Sequence, residues 1–218
     1  CEDLTRQMTP YMEQWKKRGF IPDGIYTGFL SDEKQADKIL KFMDLFAGEE
    51  TLILTDPVMG DDGEVYPIYT EGLRSRFREL VSRSYVITPN LTEALLLLYG
   101  KEEMEKKWKV LETMPEAERL EKIQEIGQRL VLEFSLSAVV ITGVSYRENS
   151  QTPKMGNLVL EKEKVSWVFA EKSGGSYSGT GDLFASVLSA GLVKGYSMET
   201  CAHMAVEFIS TSIRDAVS

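Results

Sequence analysis

Short unbroken apolar runs alternate along this chain with longer stretches in which apolar residues recur every three or four positions. Leu52–Thr55 (LILT), 85–88 (YVIT) and 138–141 (AVVI) are runs of the first kind. A strand with one face in water alternates apolar and polar residues. These do not, so the pattern predicts strands covered on both faces. Residues 24–29 (GIYTGF) read as a strand end passing into a turn. Helical spacing follows in Ala36, Ile39, Leu40, Met43 and Phe46, with Ser31 expected as the N-cap and Gly48 as the stop. Further helices are expected over 72–81, 92–98, 120–134, 182–194 and 198–215, and a β-hairpin over 157–160 and 165–170. The charged residues 100–118 read as a surface insertion. Strand and helix in alternation predict one α/β domain over 1–218, a doubly wound and mostly parallel sheet with helices on both faces.

Composition narrows the function. The 218 residues carry 34 acidic and 25 basic side chains, a net charge of -9. That balance argues against a nucleic-acid footprint, which needs clustered Lys and Arg. It leaves a phosphate ligand open, because backbone N–H groups and metal ions can hold one. Cys1 and Cys201 form no C-x-x-C pair, so neither a disulfide framework nor a zinc site is expected. The apolar runs fall short of the ~20 residues of a membrane span. A cytoplasmic protein is the expectation. The chain opens on Cys1 rather than Met, and its natural start is expected upstream.

In doubly wound sheets, ligands sit beyond the carboxyl ends of the strands. Asp56 follows the first apolar run, Asn90 and Glu93 the second, and Thr142 and Gly143 the third. Gly179-Thr180-Gly181-Asp182 opens the helix of 182–194. Glycines there let the backbone approach a ligand, and a helix N-terminus favours an anion. Asp182 reads either as a helix cap or as a base for an attacking alcohol. Asp56 and Glu93 read either as solvated acids or as the carboxylates that support Mg²⁺ beside phosphates. Thr142 and Gly143 are a strand-ending turn or a phosphate contact. No G-x-x-x-x-G-K-[ST] occurs. His203, Trp15, Trp108 and Trp167 read as packing residues, and Lys16-Lys17-Arg18 as a solvated helix end.

Taken in order, D-P-V-M-G-D (56–61), I-T-P-N-L-T-E (87–93), V-I-T-G (140–143) and G-T-G-D-L-F-A (179–185) resemble the ribokinase-like superfamily. Within it, the match is to pyridoxal and pyridoxamine kinases. The resemblance implies transfer of the γ-phosphoryl of ATP to a 5′-hydroxymethyl group. It implies Asp182 as catalytic base and Gly179, Thr180 and Gly181 as its anion hole. Asp61, Tyr66, Asn90, Thr142 and Gly143 match positions that approach ATP. Phe29 and Ser178 match substrate positions, and Asp56 and Glu93 match the acids that organise Mg²⁺. A monovalent cation and a homodimer are further implications. Nothing here resembles the family's first strand and lid; residues 1–19 resemble the helix after them. A chain lacking those parts is expected to be a poor catalyst alone. Alternatives are a hydroxymethylpyrimidine kinase, whose members usually carry Cys where this chain has Asp182, a sugar kinase, and a non-catalytic nucleotide-binding protein on the same scaffold.

Overall fold

The computed structural model describes residues 3–147, 153–162, 164–171 and 177–217. The chain runs α1 (Thr5–Lys17), β1 (Gly24–Thr27), α2 (Glu33–Phe46), β2 (Leu52–Thr55), β3 (Gly60–Asp61), β4 (Glu64–Val65), α3 (Glu71–Ser82), β5 (Val86–Ile87) and α4 (Leu91–Tyr99). It continues through α5 (Lys101–Thr113), α6 (Glu116–Phe134), β6 (Ala138–Arg147), β7 (Pro153–Glu161), β8 (Lys164–Glu171), α7 (Thr180–Val193) and α8 (Met198–Val217). Six strands form one sheet in the order β1-β2-β5-β6-β7-β8. The first four are parallel, β7 runs antiparallel to β6, and β8 runs antiparallel to β7. This is the ribokinase-like α/β architecture that the motifs imply.

The unalternating strands have a direct cause: both faces of the sheet are covered. Ile87, Val139 and Ile141 point into a cluster with helices α2, α3, α4 and α6, through residues such as Leu40, Phe77, Leu95 and Leu130. Val86, Ala138 and Val140 point the other way, onto Phe184, Leu188, Met198 and Ala202 of α7 and α8. Neighbouring residues thus serve opposite layers, so apolar side chains fill both faces until the strand ends, where buried Thr55 and Thr88 stand. α4 is buried from Leu91 to Leu98, which accounts for its run of leucines.

Local departures from expectation have identifiable physical reasons. Asp32 rather than Ser31 caps α2, since its carboxylate accepts from the Gln35 N–H at 2.9 Å. Ala47, extended, ends that helix instead of Gly48. The 56–63 loop contains a two-residue hairpin, β3 against β4. Residues 100–118 are not a solvated insertion: α5 and the start of α6 occupy them, and Met104 and Leu111 are buried. The third apolar strand does not stop at Ile141 but continues to Arg147 through a register shift between Ile141 and Val144. Of residues 173–181, a stretch rich in glycine and serine that reads from sequence as a turn before the next helix, 173–176 lie outside the described residues. Among the described residues, no helix is long and apolar enough to cross a membrane.

Candidate active site

The carboxyl ends of β1, β2 and β5 lie side by side, because Thr27 pairs with Thr55 and Thr55 with Ile87. Asp56 leaves β2 there, its N–H donating to the Thr27 carbonyl at 2.8 Å. It is only 6% exposed. Burial first, and then the neighbouring Asp182 carboxylate, raise its pKa to about 7, while Thr88 acts the other way.

Asp182 reaches the same corner from the opposite layer. Gly179, at φ +87°, is the N-cap of α7, a left-handed geometry that favours glycine. The Leu183 N–H bonds the Gly179 carbonyl at 3.0 Å. The amides of Thr180, Gly181 and Asp182 precede that ladder and have no helical acceptor. Asp182 makes no cap hydrogen bond. Its Oδ1 instead accepts from the Tyr26 hydroxyl at 3.0 Å. Gly181 is close enough to Asp56 that a Cβ on it would lie 3.8 Å from Oδ2. A Cβ on Gly28 would meet the Tyr26 hydroxyl at 3.0 Å and Asp182 Oδ1 at 3.6 Å. Tyr26, Gly28, Asp56, Gly181 and Asp182 therefore share one corner.

A second group of residues ties the neighbouring strand ends together. Asn90 caps α4, accepting from the Glu93 N–H at 2.9 Å and donating from Nδ2 to the Gly60 carbonyl at 2.8 Å. Glu93 returns the cap by accepting from the Asn90 N–H at 2.9 Å, and its other oxygen accepts from the Met59 N–H at 3.2 Å. Burial, followed by the Asp56 charge, holds the Glu93 pKa well above the ordinary range. Thr142 bridges to Asn90 and donates its N–H to the Pro89 carbonyl at 2.9 Å. Gly143, at φ +69°, turns its N–H to Asn157 Oδ1 at 3.3 Å. Asp61 is exposed on β3 and Tyr66 is half-exposed beyond β4. The Tyr66 phenol pKa is raised by burial first and then by Asp61, Glu93 and Asp56.

Of the residues singled out from sequence, Asp56, Gly181 and Asp182 are thus brought together, and Asn90, Glu93 and Thr142 are joined into an adjoining strut. Phe29 is 59% exposed just beyond Gly28, and Ser178 is exposed just before Gly179. Among the described residues, neither hydrogen-bonds to the Asp182 corner. Tyr26 went unread in the sequence. The available signal was its place in β1, one residue before the strand's carboxyl end.

The deep acids fit a bound divalent cation. Asp56 is a buried carboxylate with no cationic side chain among the causes of its shift. Glu93 already has both oxygens on backbone N–H groups, so any support it gave a metal would pass through water.

Relatives carry the same architecture. A Bordetella avium protein named pyridoxine/pyridoxal/pyridoxamine kinase is 26% identical over 204 residues, which is 91% of this chain and 63% of that protein. The structure of a candidate phosphomethylpyrimidine kinase from Bacteroides thetaiotaomicron, solved with pyridoxal, superposes with a TM-score of 0.81 at 29% identity. It covers 98% of this chain and 70% of the other. The Staphylococcus aureus pyridoxal kinase, in complex with AMP-PCP and pyridoxal, shares the fold with a TM-score of 0.70 at 20% identity, covering 94% of this chain and 66% of its own. This chain therefore spans less than two thirds of that curated relative's length. The phosphomethylpyrimidine kinase family model matches residues 17–218, a span that includes every strand and every motif described above, and the chain belongs to that family.

Proposed function

We propose that this chain carries the nucleotide side and the base of an ATP-dependent kinase for the 5′-hydroxymethyl group of pyridoxal, pyridoxamine or pyridoxine. The observation that carries the reading is the Asp182 corner: a carboxylate in the first turn of α7, beside amides without helical acceptors and next to buried Asp56. Asp182 takes the proton of the attacking hydroxyl. The amides of Thr180 and Gly181 face the charge that develops on the phosphoryl group in transfer. Asp56, and Glu93 through water, would hold Mg²⁺, which supplies charge neutralisation at the phosphates. Asp61, Tyr66, Asn90, Thr142 and Gly143 line the approach of ATP, and Phe29 and Ser178 that of the vitamin. A monovalent cation, a homodimer and a cytoplasmic setting belong to the same reading, on resemblance.

A second reading, hydroxymethylpyrimidine kinase, is favoured by the description of the matching family model. Against it stands Asp182, where those enzymes usually have Cys. The pyridoxal in the Bacteroides relative's structure also supports a B6 vitamer. Turnover of ATP with a panel of pyridoxal, pyridoxamine, pyridoxine and hydroxymethylpyrimidine tests the choice. The expected result is transfer to a pyridine alcohol. Preference for the pyrimidine, or ATP loss independent of any alcohol, would overturn the proposal.

A further inference from the structure

α5 does more than fill a connection. Its Met104 and Leu111 enter the core, and between them Trp108 is half-buried against it. The same indole sits on Gly63, in the turn of the β3–β4 hairpin. A Cβ built on Gly63 would stand 2.5 Å from Nε1, 2.6 Å from Cδ1 and 2.8 Å from Cε2 of the ring. Gly63 also has φ +80°. A side chain is excluded there twice, by conformation and by the indole.

α4 holds the same segment from another side. Thr92 Oγ1 accepts from the Gly63 N–H at 2.9 Å, Asn90 holds the Gly60 carbonyl, and Glu93 holds the Met59 N–H. The hairpin has only two residues in each strand. Pairs this short do not hold themselves, so the conformation depends on what they pack against.

We propose that α5 braces this hairpin, with Trp108 as a positioning residue that holds Asp61 and Tyr66 where a nucleotide meets them. The inference rests on the reading that those two residues approach ATP. Without the indole, the three hydrogen bonds to α4 keep the segment attached. The turn then samples more conformations, and a nucleotide must order it on binding.

The test compares Trp108→Ala and Trp108→Phe with the parent chain, with Val110→Ala on the exposed side of α5 as control. Hydrogen exchange of residues 59–66 is followed without nucleotide, and calorimetry gives the affinity for a non-hydrolysable ATP analogue. Trp108→Ala should exchange roughly tenfold faster at 59–66, with 138–141 unchanged. It should bind the analogue about three- to tenfold more weakly. Trp108→Phe should recover most of both, and Val110→Ala should match the parent. Parent-like exchange at 59–66 in Trp108→Ala overturns the brace even where nucleotide binds normally. Faster exchange with unchanged affinity overturns the positioning role. A parent chain with no affinity for the analogue overturns the nucleotide reading of Asp61 and Tyr66, and the positioning role falls with it. Should Trp108→Ala fail to fold, Trp108→Phe decides. Its smaller change must be confined to 59–66, and a change spread evenly over the chain overturns the proposal.

Discussion

At the scale of single residues, the site sets two carboxylates of unlike surroundings side by side. Asp182 is exposed and tethered by the Tyr26 hydroxyl. On the proposed role of Asp182 as base, Asp182→Asn keeps the shape and removes the proton acceptor, so kcat should fall by something like 10²–10⁴ while ATP affinity holds. Tyr26→Phe removes only the tether. Its kcat should fall about three- to tenfold, the worth of one hydrogen bond, with the KM for ATP unchanged. Steady-state kinetics on both variants checks this. Asp56 is buried, and its raised pKa makes it a liability to folding. An unfolded aspartate titrates near ~3.9, whereas the folded group titrates at about 7. The folded state therefore holds the proton more tightly. This group's contribution to stability is full below about pH 4 and is lost as the pH rises through about 7. Without metal, Asp56→Asn should be more stable than the parent at pH 8, by on the order of a few kcal/mol, and the gap should close toward pH 4. Urea melts along that pH series measure it. The sequence already placed Asp56 at a strand end and Asp182 at the start of a helix. It could not reveal their contact, because 126 positions of chain separate residue 56 from residue 182 and only folding closes that distance.

At the scale of elements, the reciprocal cap at the start of α4 does two jobs. It terminates a helix, and it ties the strand end after β5 to the loop after β2. Asn90→Ala loses both, and stability should drop by about 1–2 kcal/mol in urea denaturation. Glu93→Gln keeps one acceptor where the chain needs two. It should raise the Mg²⁺ concentration for half-maximal rate, and an unchanged metal titration would remove Glu93 from the metal's support. The cap's signal, N-x-x-E before an apolar run, stands in the sequence, but Asn90 reads there for a ligand rather than for the helix it starts. The β3–β4 hairpin was not, because two residues per strand leave no periodicity to read. Nor was the role of α5, since Met104, Trp108 and Leu111 are diluted by lysine and glutamate on its outer face. The antiparallel β7 and β8 were read four residues short at their outer ends, 153–156, and one at 171. The added residues are mixed in character, from exposed Pro153 to buried Gly156, and show no alternation to read.

At the scale of the whole molecule, the apolar strands announced a sheet clothed on both sides, and the sandwich follows from them. Leu188 is wholly buried between α7 and the sheet. Leu188→Ala should cost about 2–5 kcal/mol, seen as a lower Tm in calorimetry, although it touches no ligand position. The strand order was beyond sequence, since it depends on which partners long connections select, whereas the antiparallel edge was foreshadowed by the hairpin expected over 157–160 and 165–170. One consequence of that edge concerns β6. Its first residues are flanked by β5 and β7, whereas Val144–Arg147 pair with β7 alone among the described strands. The register shift beside Gly143 marks the boundary. β6 is thus a cantilever, clamped in the core between two strands and held beyond it by β7 and by Arg119, which donates to the Ser145 carbonyl. Descendants of this sequence can recut that overhang while the clamped half goes on specifying the same fold.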